Sequence, residues 1–239
     1  MTVVGIDDTD SRERGMCTTY LAARIGERIE AVGGRVERRL LVRLNPAVER
    51  KTRGNAALAL HTDLDADAAF ELAREELEPL AETDDPRTSP GLVVADCAPD
   101  AVPEAVATFA ADAVREFHDL DDALELAEAA GFHTAGWAGG HGRIGALAAV
   151  GAFRAFEEWT DEHIAYRQFE RCGTPRDVDE ASVFAAADAG YPEAWDTVDT
   201  VENEAVCVPN APGPILYGIR GDSPDAVRGV AAAIDSEPV

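Results

Sequence analysis

Apolar and polar positions along the chain change period several times, and each change predicts an element. Val3–Ile6 is a short apolar run that reads as a buried strand. Leu21, Ile25, Ile29 and Val32 recur at helical spacing, which predicts a helix over Cys17–Val32 stopped by Gly33-Gly34. Arg35–Leu44 alternates as a strand up to Asn45-Pro46, and Asn55–His61 reads as another strand. Ala66–Leu80 has helical spacing, Asp84–Gly91 reads as a loop, and Leu92–Ala95 as a strand. Helices are expected over Pro103–Phe117 and Leu120–Ala130. Gly131–Gly145 is glycine-rich and reads as irregular, before Ala146–Trp159 resumes as a helix.

The last 80 residues read as a second unit. Glu162–Tyr166, Trp195–Val201, Ala205–Val208 and Ile215–Ile219 are strand candidates. Glu180–Ala189 is a helix candidate, and Asp222 or Ser223 caps another that runs to Ile234. That order suits a ferredoxin-like layer whose final strand is nearly absent before Val239. The expected class is therefore mixed α/β, or α+β, with domains over residues 1–160 and 161–239.

Composition narrows the setting. No apolar run approaches the roughly 20 residues of a membrane span, and the N-terminus lacks the basic and apolar regions of a signal peptide. Cys17, Cys97, Cys172 and Cys207 form no CxxC pair, so no zinc is expected and a reducing, cytoplasmic setting is. The net charge is −25, and Lys51 is the single lysine among 21 basic residues. Such a solvated acidic surface suits a halophile, where salt blunts self-repulsion. Against it stand seven cations between Arg35 and Arg53, the place where a polyanion would have to bind.

Four motifs carry candidate chemistry. In the first, Asp7, Asp8 and Asp10 crowd the end of the first strand, then Gly15, Thr18 and Thr19 lead into a helix. Bunched acids repel unless a cation or proton holds them, and hydroxyls with free N–H groups at a helix start suit phosphate. One reading is a helix cap with surplus surface acids. A second is a phosphatase, since Asp8-Thr9-Asp10-Ser11 fits an Asp-x-Asp-x-Ser pattern with Asp8 as nucleophile and Asp10 as acid/base. A third is phosphoryl transfer from a nucleotide with Mg²⁺ on the acids. The second motif, Lys51-Thr52-Arg53-Gly54-Asn55, is a basic hairpin tip or a phosphate or RNA-backbone contact. The third, Gly140–Gly145, matches the GxGxxG dinucleotide fingerprint, but an anion site at a loop-to-helix junction, assisted by Arg143, fits better. The fourth, Cys207–Gly221, is a proline-stiffened loop that turns the chain or aims Asn210, Tyr217 and Arg220 at a small ligand.

Through Gly5–Ser11, Gly15–Leu21, Arg43–Asn55, Gly142–Ala152, Ile164–Arg167 and Val206–Ser223, the chain resembles the archaeal tRNA-isoleucine agmatinylcytidine synthetases, the TiaS family. These enzymes use ATP to join agmatine to carbon-2 of the wobble cytidine of the CAU-anticodon isoleucine tRNA. The resemblance implies a kinase-like domain of unusual fold followed by a ferredoxin-like domain. It implies that Asp7, Asp8 and Asp10 hold Mg²⁺ against ATP and that Thr18 is the phosphorylated threonine. Gly15, Thr19, Lys51, Arg53, Asn55, Gly142, Arg143 and Gly145 would bind ATP, and Pro209, Asn210, Tyr217 and Arg220 agmatine. Family members continue into an OB-fold and a zinc ribbon, and the resemblance, which stops short of both, leads to the expectation that they are absent here. The expectation is a synthetase without its tRNA-gripping part, or a short nucleotide-binding relative or subunit whose tRNA-binding domains come from a separate chain.

Overall fold

The computed structural model describes residues 1–11, 18–45, 47–51 and 55–155, and the strands of the last third; at positions 19, 20, 153 and 155, and in those late strands, it describes the backbone alone. The chain divides into two units, Met1–Trp159 and Thr160–Val239.

In the first unit β1 (Thr2–Asp7), β2 (Val36–Arg43), β3 (Ala56–Thr62), β4 (Gly91–Ala95) and β5 (His133–Gly136) form a sheet in the order β2-β3-β1-β4-β5. Every pairing in it is antiparallel. Helix α1 (Thr18–Ala31) joins β1 to β2, and α2 (Ala66–Leu80) joins β3 to β4. The first four strands with these two helices thus follow a β-α-β-β-α-β path, the ferredoxin-like order expected for the last 80 residues. Helices α3 (Glu104–Ala113), α4 (Leu120–Ala129) and α5 (Arg143–Ala155) follow β4.

Side chains alternate across the sheet, so each strand feeds two cores. Val3, Leu40, Val42, Ala57, Ala59, Val93 and Ala95 pack with Val106, Phe109 and Ala110 of α3 and Leu147 and Val150 of α5. The opposite positions, Val4, Ile6, Leu41, Leu58, Leu60, Leu92 and Val94, are buried as well, as are Leu21, Ile25, Ile29, Leu72 and Leu77 on α1 and α2. Burial on both faces explains why β1 and β4 read as unbroken apolar runs. The two helices of the second core are cross-braced by Glu76, a buried carboxylate gripped by Arg24 and, at 2.9 Å, by Arg28.

Most expected elements of this unit lie within a few residues of their observed bounds. Helix α1 ends at Ala31, and Gly33 turns the chain with φ +92°. Asp65 caps α2 by accepting from the N–H groups of Asp67 and Ala68. The glycine-rich stretch departs from expectation. It holds the short strand β5, an edge strand whose His-Thr-Ala-Gly sequence shows no apolar alternation and which forms because β4 has an open edge. Helix α5 also starts three residues earlier than expected, at Arg143, which puts Gly145 inside the first turn. The expected helix 103–117 ends at Ala113, where the Asn45 side chain donates to the Arg115 and Glu116 carbonyls instead.

The second unit contains β6 (Glu162–Ala165), β7 (Trp195–Asp196), β8 (Val198–Asp199), β9 (Glu204–Ala205) and β10 (Tyr217–Gly221). One sheet has the order β6-β10-β7 with antiparallel pairs, and β8 pairs with β9 separately. The single strand expected over Trp195–Val201 is therefore two short strands in different sheets. The helices expected at Glu180–Ala189 and up to Ile234 lie outside the described residues.

Candidate functional site

β1 is the middle strand of its sheet, and its C-terminal end delivers Asp7 into the core side and Asp8 into a turn. Helix α5 comes down directly on this strand end. A Cβ at Gly5 would overlap the Ala146 carbonyl, and one at Gly91 the Arg143 backbone nitrogen. At Gly142 it would lie 2.7 Å from the Asp7 carbonyl oxygen, and at Gly145 it would overlap Asp7 Oδ2. Gly142 and Gly145 are thus what lets the helix start sit against the acid. The loop ahead of α5 turns through Ala138, Gly139 and Gly140, all at positive φ.

Two loops clamp the acids. Trp137 N–H donates to Pro90 O at 3.0 Å, and Gly142 N–H to Ser89 O at 2.8 Å, zipping the loop before α5 to the loop before β4. The buried Ser89 is the hub: its N–H donates to Asp8 Oδ2 at 2.9 Å, its hydroxyl donates to Ala138 O, and it accepts from His141 N–H. Residues 9–11 are pinned to the same loop. Glu82 N–H donates to Thr9 O, the Thr88 hydroxyl to Asp10 O at 2.6 Å, and the Ser11 hydroxyl to Asp85 Oδ2 at 2.7 Å.

This rigid frame imposes an electrostatic cost. Burial, joined by the charges of Asp8 and Asp10, raises the Asp7 carboxyl well above the usual range, against the pull of the Asp8 N–H on Oδ1. Burial raises Asp8 to about 7; the Ser89 N–H and Arg50 pull it down, while Asp10 and Asp85 push it up. Asp8 also holds a left-handed backbone with φ 56°, a strain at the site itself. Arg50 is the nearby cation. One guanidinium nitrogen lies 2.8 Å from Nδ1 and 2.9 Å from Nε2 of His141, so it rests on the imidazole face. Burial, with Arg50 and Arg143 beside it, lowers the His141 pKa below the ordinary imidazole value.

Thr18, the first residue of α1, is buried beside this turn. Its Oγ1 accepts from the Thr9 hydroxyl at 3.1 Å and from the Thr9 N–H at 3.3 Å. The structure therefore brings Asp7, Asp8, Thr18, Gly142 and Gly145 to one place. Asp10 adds its charge, which raises both carboxyls, and its carbonyl, which accepts from the Thr88 hydroxyl. Among the described residues no group of three or more His, Cys, Asp or Glu stands close enough to hold a metal, so the three acids do not form a ready cage. Two neighbouring carboxylates that burial drives toward protonation do suit a hard cation that shares its remaining ligands with phosphate.

Other expected residues have different partners here. The Asn55 side chain donates to Asn45 O at 2.7 Å, bracing the loop between β2 and β3. The Arg143 guanidinium donates to Gly140 O at 2.9 Å and shapes its own loop. Lys51 is half-buried, next to Arg50. For Thr19, Tyr217 and Arg220 the structure gives backbone alone, while Gly15, Arg53, Pro209 and Asn210 lie outside the described residues. The dinucleotide reading of Gly140–Gly145 fails, because it needs a parallel β-α-β unit and β5 is an antiparallel edge strand. Ser89, His141, Arg50 and Thr9 were not singled out from the sequence. The segment Thr88-Ser89-Pro90-Gly91 carried the one available signal, a polar loop ending in a glycine of close approach.

Comparison with known proteins identifies the family of the chain. The family model of the TiaS TCKD domain matches residues 3–64, and that of the TiaS FLD domain residues 140–239. The chain is 66% identical over 240 residues to the isoleucine-tRNA 2-agmatinylcytidine synthetase TiaS of Haloquadratum walsbyi, covering 100% of this chain and 52% of that protein. It is 43% identical to the Methanosarcina mazei TiaS, covering 99% of this chain and 56% of that protein. The chain thus spans about half the length of these curated relatives. The crystal structure of a TiaS in complex with its isoleucine tRNA and ATP superposes with a TM-score of 0.79 at 41% identity, over 100% of this chain and 56% of that one. A TiaS complex with the same tRNA, AMPCPP and agmatine gives 0.78 at 39%, over 100% of this chain and 57% of that one. With two TiaS domain models along its length and 66% and 43% identity to two TiaS proteins, the chain belongs to the TiaS family.

Proposed function

We propose that the chain carries the ATP-dependent centre of a tRNA agmatinylcytidine synthetase, which joins agmatine to carbon-2 of the wobble cytidine of the CAU-anticodon isoleucine tRNA. The observation that carries this reading is Asp7 against the start of α5, with Asp8 beside it and Thr18 hydrogen-bonded to the adjoining Thr9, in a chain 41% identical to a TiaS crystallised with an isoleucine tRNA and ATP.

The chain's own groups account for the chemistry. Phosphorylating the carbonyl oxygen at carbon-2 turns a poor leaving group into a good one, which the agmatine amine then displaces. The amine attacks only when neutral, so a base must take its proton, and a carboxyl titrating near 7, such as Asp8, has the right affinity at neutral pH. Asp7, Asp8 and Asp10 would hold Mg²⁺, which supplies charge neutralisation for the ATP phosphates when bound. Thr18 would take a phosphoryl group. Gly142 and Gly145 would hold the α5 start against the acids that meet the nucleotide, with Gly15, Thr19, Lys51, Arg53, Asn55 and Arg143 as further ATP contacts. Pro209, Asn210, Tyr217 and Arg220 would line the agmatine side. The cytoplasm is the expected compartment, and no described helix is long and apolar enough to cross a membrane.

The test has two readouts. Incubated with ATP and Mg²⁺, the chain is expected to acquire phosphate at Thr18, and Thr18→Ala to lose it. Given the isoleucine tRNA and agmatine as well, the wild type is expected to add the mass of agmatine to one cytidine. Undiminished activity in Thr18→Ala overturns the assignment of Thr18, and hydrolysis of a phosphate ester without ATP overturns the synthetase reading.

A further inference from the structure

Thr9 is fully buried, and it is immobilised from three directions. Its carbonyl accepts from Glu82 N–H at 3.0 Å, the residue before it holds Ser89 N–H, and the residue after it holds the Thr88 hydroxyl. The left-handed turn at Asp8 places the Thr9 N–H and hydroxyl so that both reach Thr18 Oγ1, at 3.3 and 3.1 Å. A threonine hydroxyl beginning a helix ordinarily meets water or a backbone group. Here one residue supplies two donors to it, and among the described residues none accepts the Thr18 hydroxyl hydrogen.

Two fixed donors on one oxygen favour the state in which that oxygen carries most negative charge. We propose that Thr9 is a positioning residue that stabilises the anionic Thr18 Oγ1 during phosphoryl transfer, an inference that rests on the reading of Thr18 as a phosphorylated residue. As the bond from Oγ1 to the γ-phosphorus forms, the bond from that phosphorus to the β,γ-bridging oxygen breaks, and ADP leaves with its electron pair. The Thr18 hydroxyl proton passes to a non-bridging oxygen of the transferred phosphoryl group, which ATP itself supplies. When the phosphoryl group later leaves Thr18, the electron pair returns to Oγ1 and the same two donors receive it. Because the donors are fixed before reaction, no reorganisation is needed at that moment. The arrangement uses a residue inside the acid motif that is itself neither acidic nor exposed, which is why the motif read as acids alone.

Single-turnover phosphorylation of the chain by ATP and Mg²⁺, followed by mass spectrometry of the Thr18 peptide, separates the roles. Thr9→Val deletes one donor at constant shape and Thr9→Ser keeps it. Thr9→Val is expected to lower the rate at saturating ATP by about 10²-fold, with the ATP concentration for half-saturation changed less than about threefold. Thr9→Ser is expected to stay within about threefold of the wild type. Thr9→Val at the wild-type rate overturns the proposal, as does a loss confined to ATP affinity. Thr9→Ser as slow as Thr9→Val overturns it too, since the methyl group would then be what matters. A wild-type chain that takes no phosphate at Thr18 overturns the phosphothreonine reading and this one together, whereas a phosphorylated wild type with a full-rate Thr9→Val overturns this one alone.

Discussion

Replacing Asp8 with Asn is expected to make the fold more stable at neutral pH while abolishing its chemistry. The Asp8 carboxyl titrates near 7 in the folded chain against an ordinary value of 3.8, mainly because it is buried beside other acids. Between those two values the folded chain holds a proton that the unfolded chain has released. Stability therefore falls as pH rises from about 4 to about 7, and stays low above that. A rise from 3.8 to about 7 is worth at most about 4 kcal/mol, and water reaching the partly exposed carboxylate screens some of it. Asparagine removes the charge and keeps the rest. Its carbonyl oxygen can accept the Ser89 N–H, and it tolerates the left-handed φ of 56°. Urea unfolding at a series of pH values should show Asp8→Asn more stable than the wild type by about 1–4 kcal/mol at pH 8, with the gap closing toward pH 4. Addition of Mg²⁺ and ATP should raise the wild-type midpoint and leave the variant's unmoved. A variant less stable than the wild type at pH 8, or a gap that does not change with pH, would refute the claim that the acid end of β1 is held against its own charge.

Two further substitutions probe the frame. Burial, with Arg38 beside it, lowers His61 to about 4, so the unfolded chain takes up a proton that the folded one refuses; stability should fall by about 3 kcal/mol between pH 6.5 and 4. His61→Gln should flatten that limb in pH-dependent unfolding, and an unchanged limb would show that other groups set it. Alanine at Gly145 should be worth up to about 1 kcal/mol of helix stability if the site were open. Because its Cβ would overlap Asp7 Oδ2, a loss of about 1–3 kcal/mol is expected instead, seen as a lower melting temperature with impaired ATP binding; a stabilised, active Gly145→Ala would break the assignment of close approach.

The sequence disclosed elements where burial imposes a period. β1, α1, β3 and α2 are buried along one face or on both, so apolar spacing marks them within a few residues. It did not disclose β5, an edge strand half-open to water whose existence depends on pairing with β4 and not on its own residues. The site divides along the same line. Asp7, Asp8 and Thr18 stand out because acids and hydroxyls at a strand end and a helix start are conspicuous, and Gly142 and Gly145 because glycines cluster there. Ser89 and His141 were hidden because their roles come from meeting across 52 residues of chain. Arg50 was visible only as one cation among seven, since what distinguishes it is the imidazole it rests on and the carboxylate it faces.

Helix α5 has one more implication, for where such a chain can be divided. Residues matching the FLD domain begin at 140, yet Ala146, Leu147 and Val150 fill the core beneath the sheet that starts with the TCKD match. Ending the chain at residue 140 would part that sheet from the helix that seals it and expose the apolar face around Val3, Val42 and Val93. A first unit that keeps its core therefore needs the chain through Ala155, with Gly5 bare of a side chain where α5 presses on it. The two family modules are distinct as stretches of matched sequence, but the first is physically finished by the opening residues of the second.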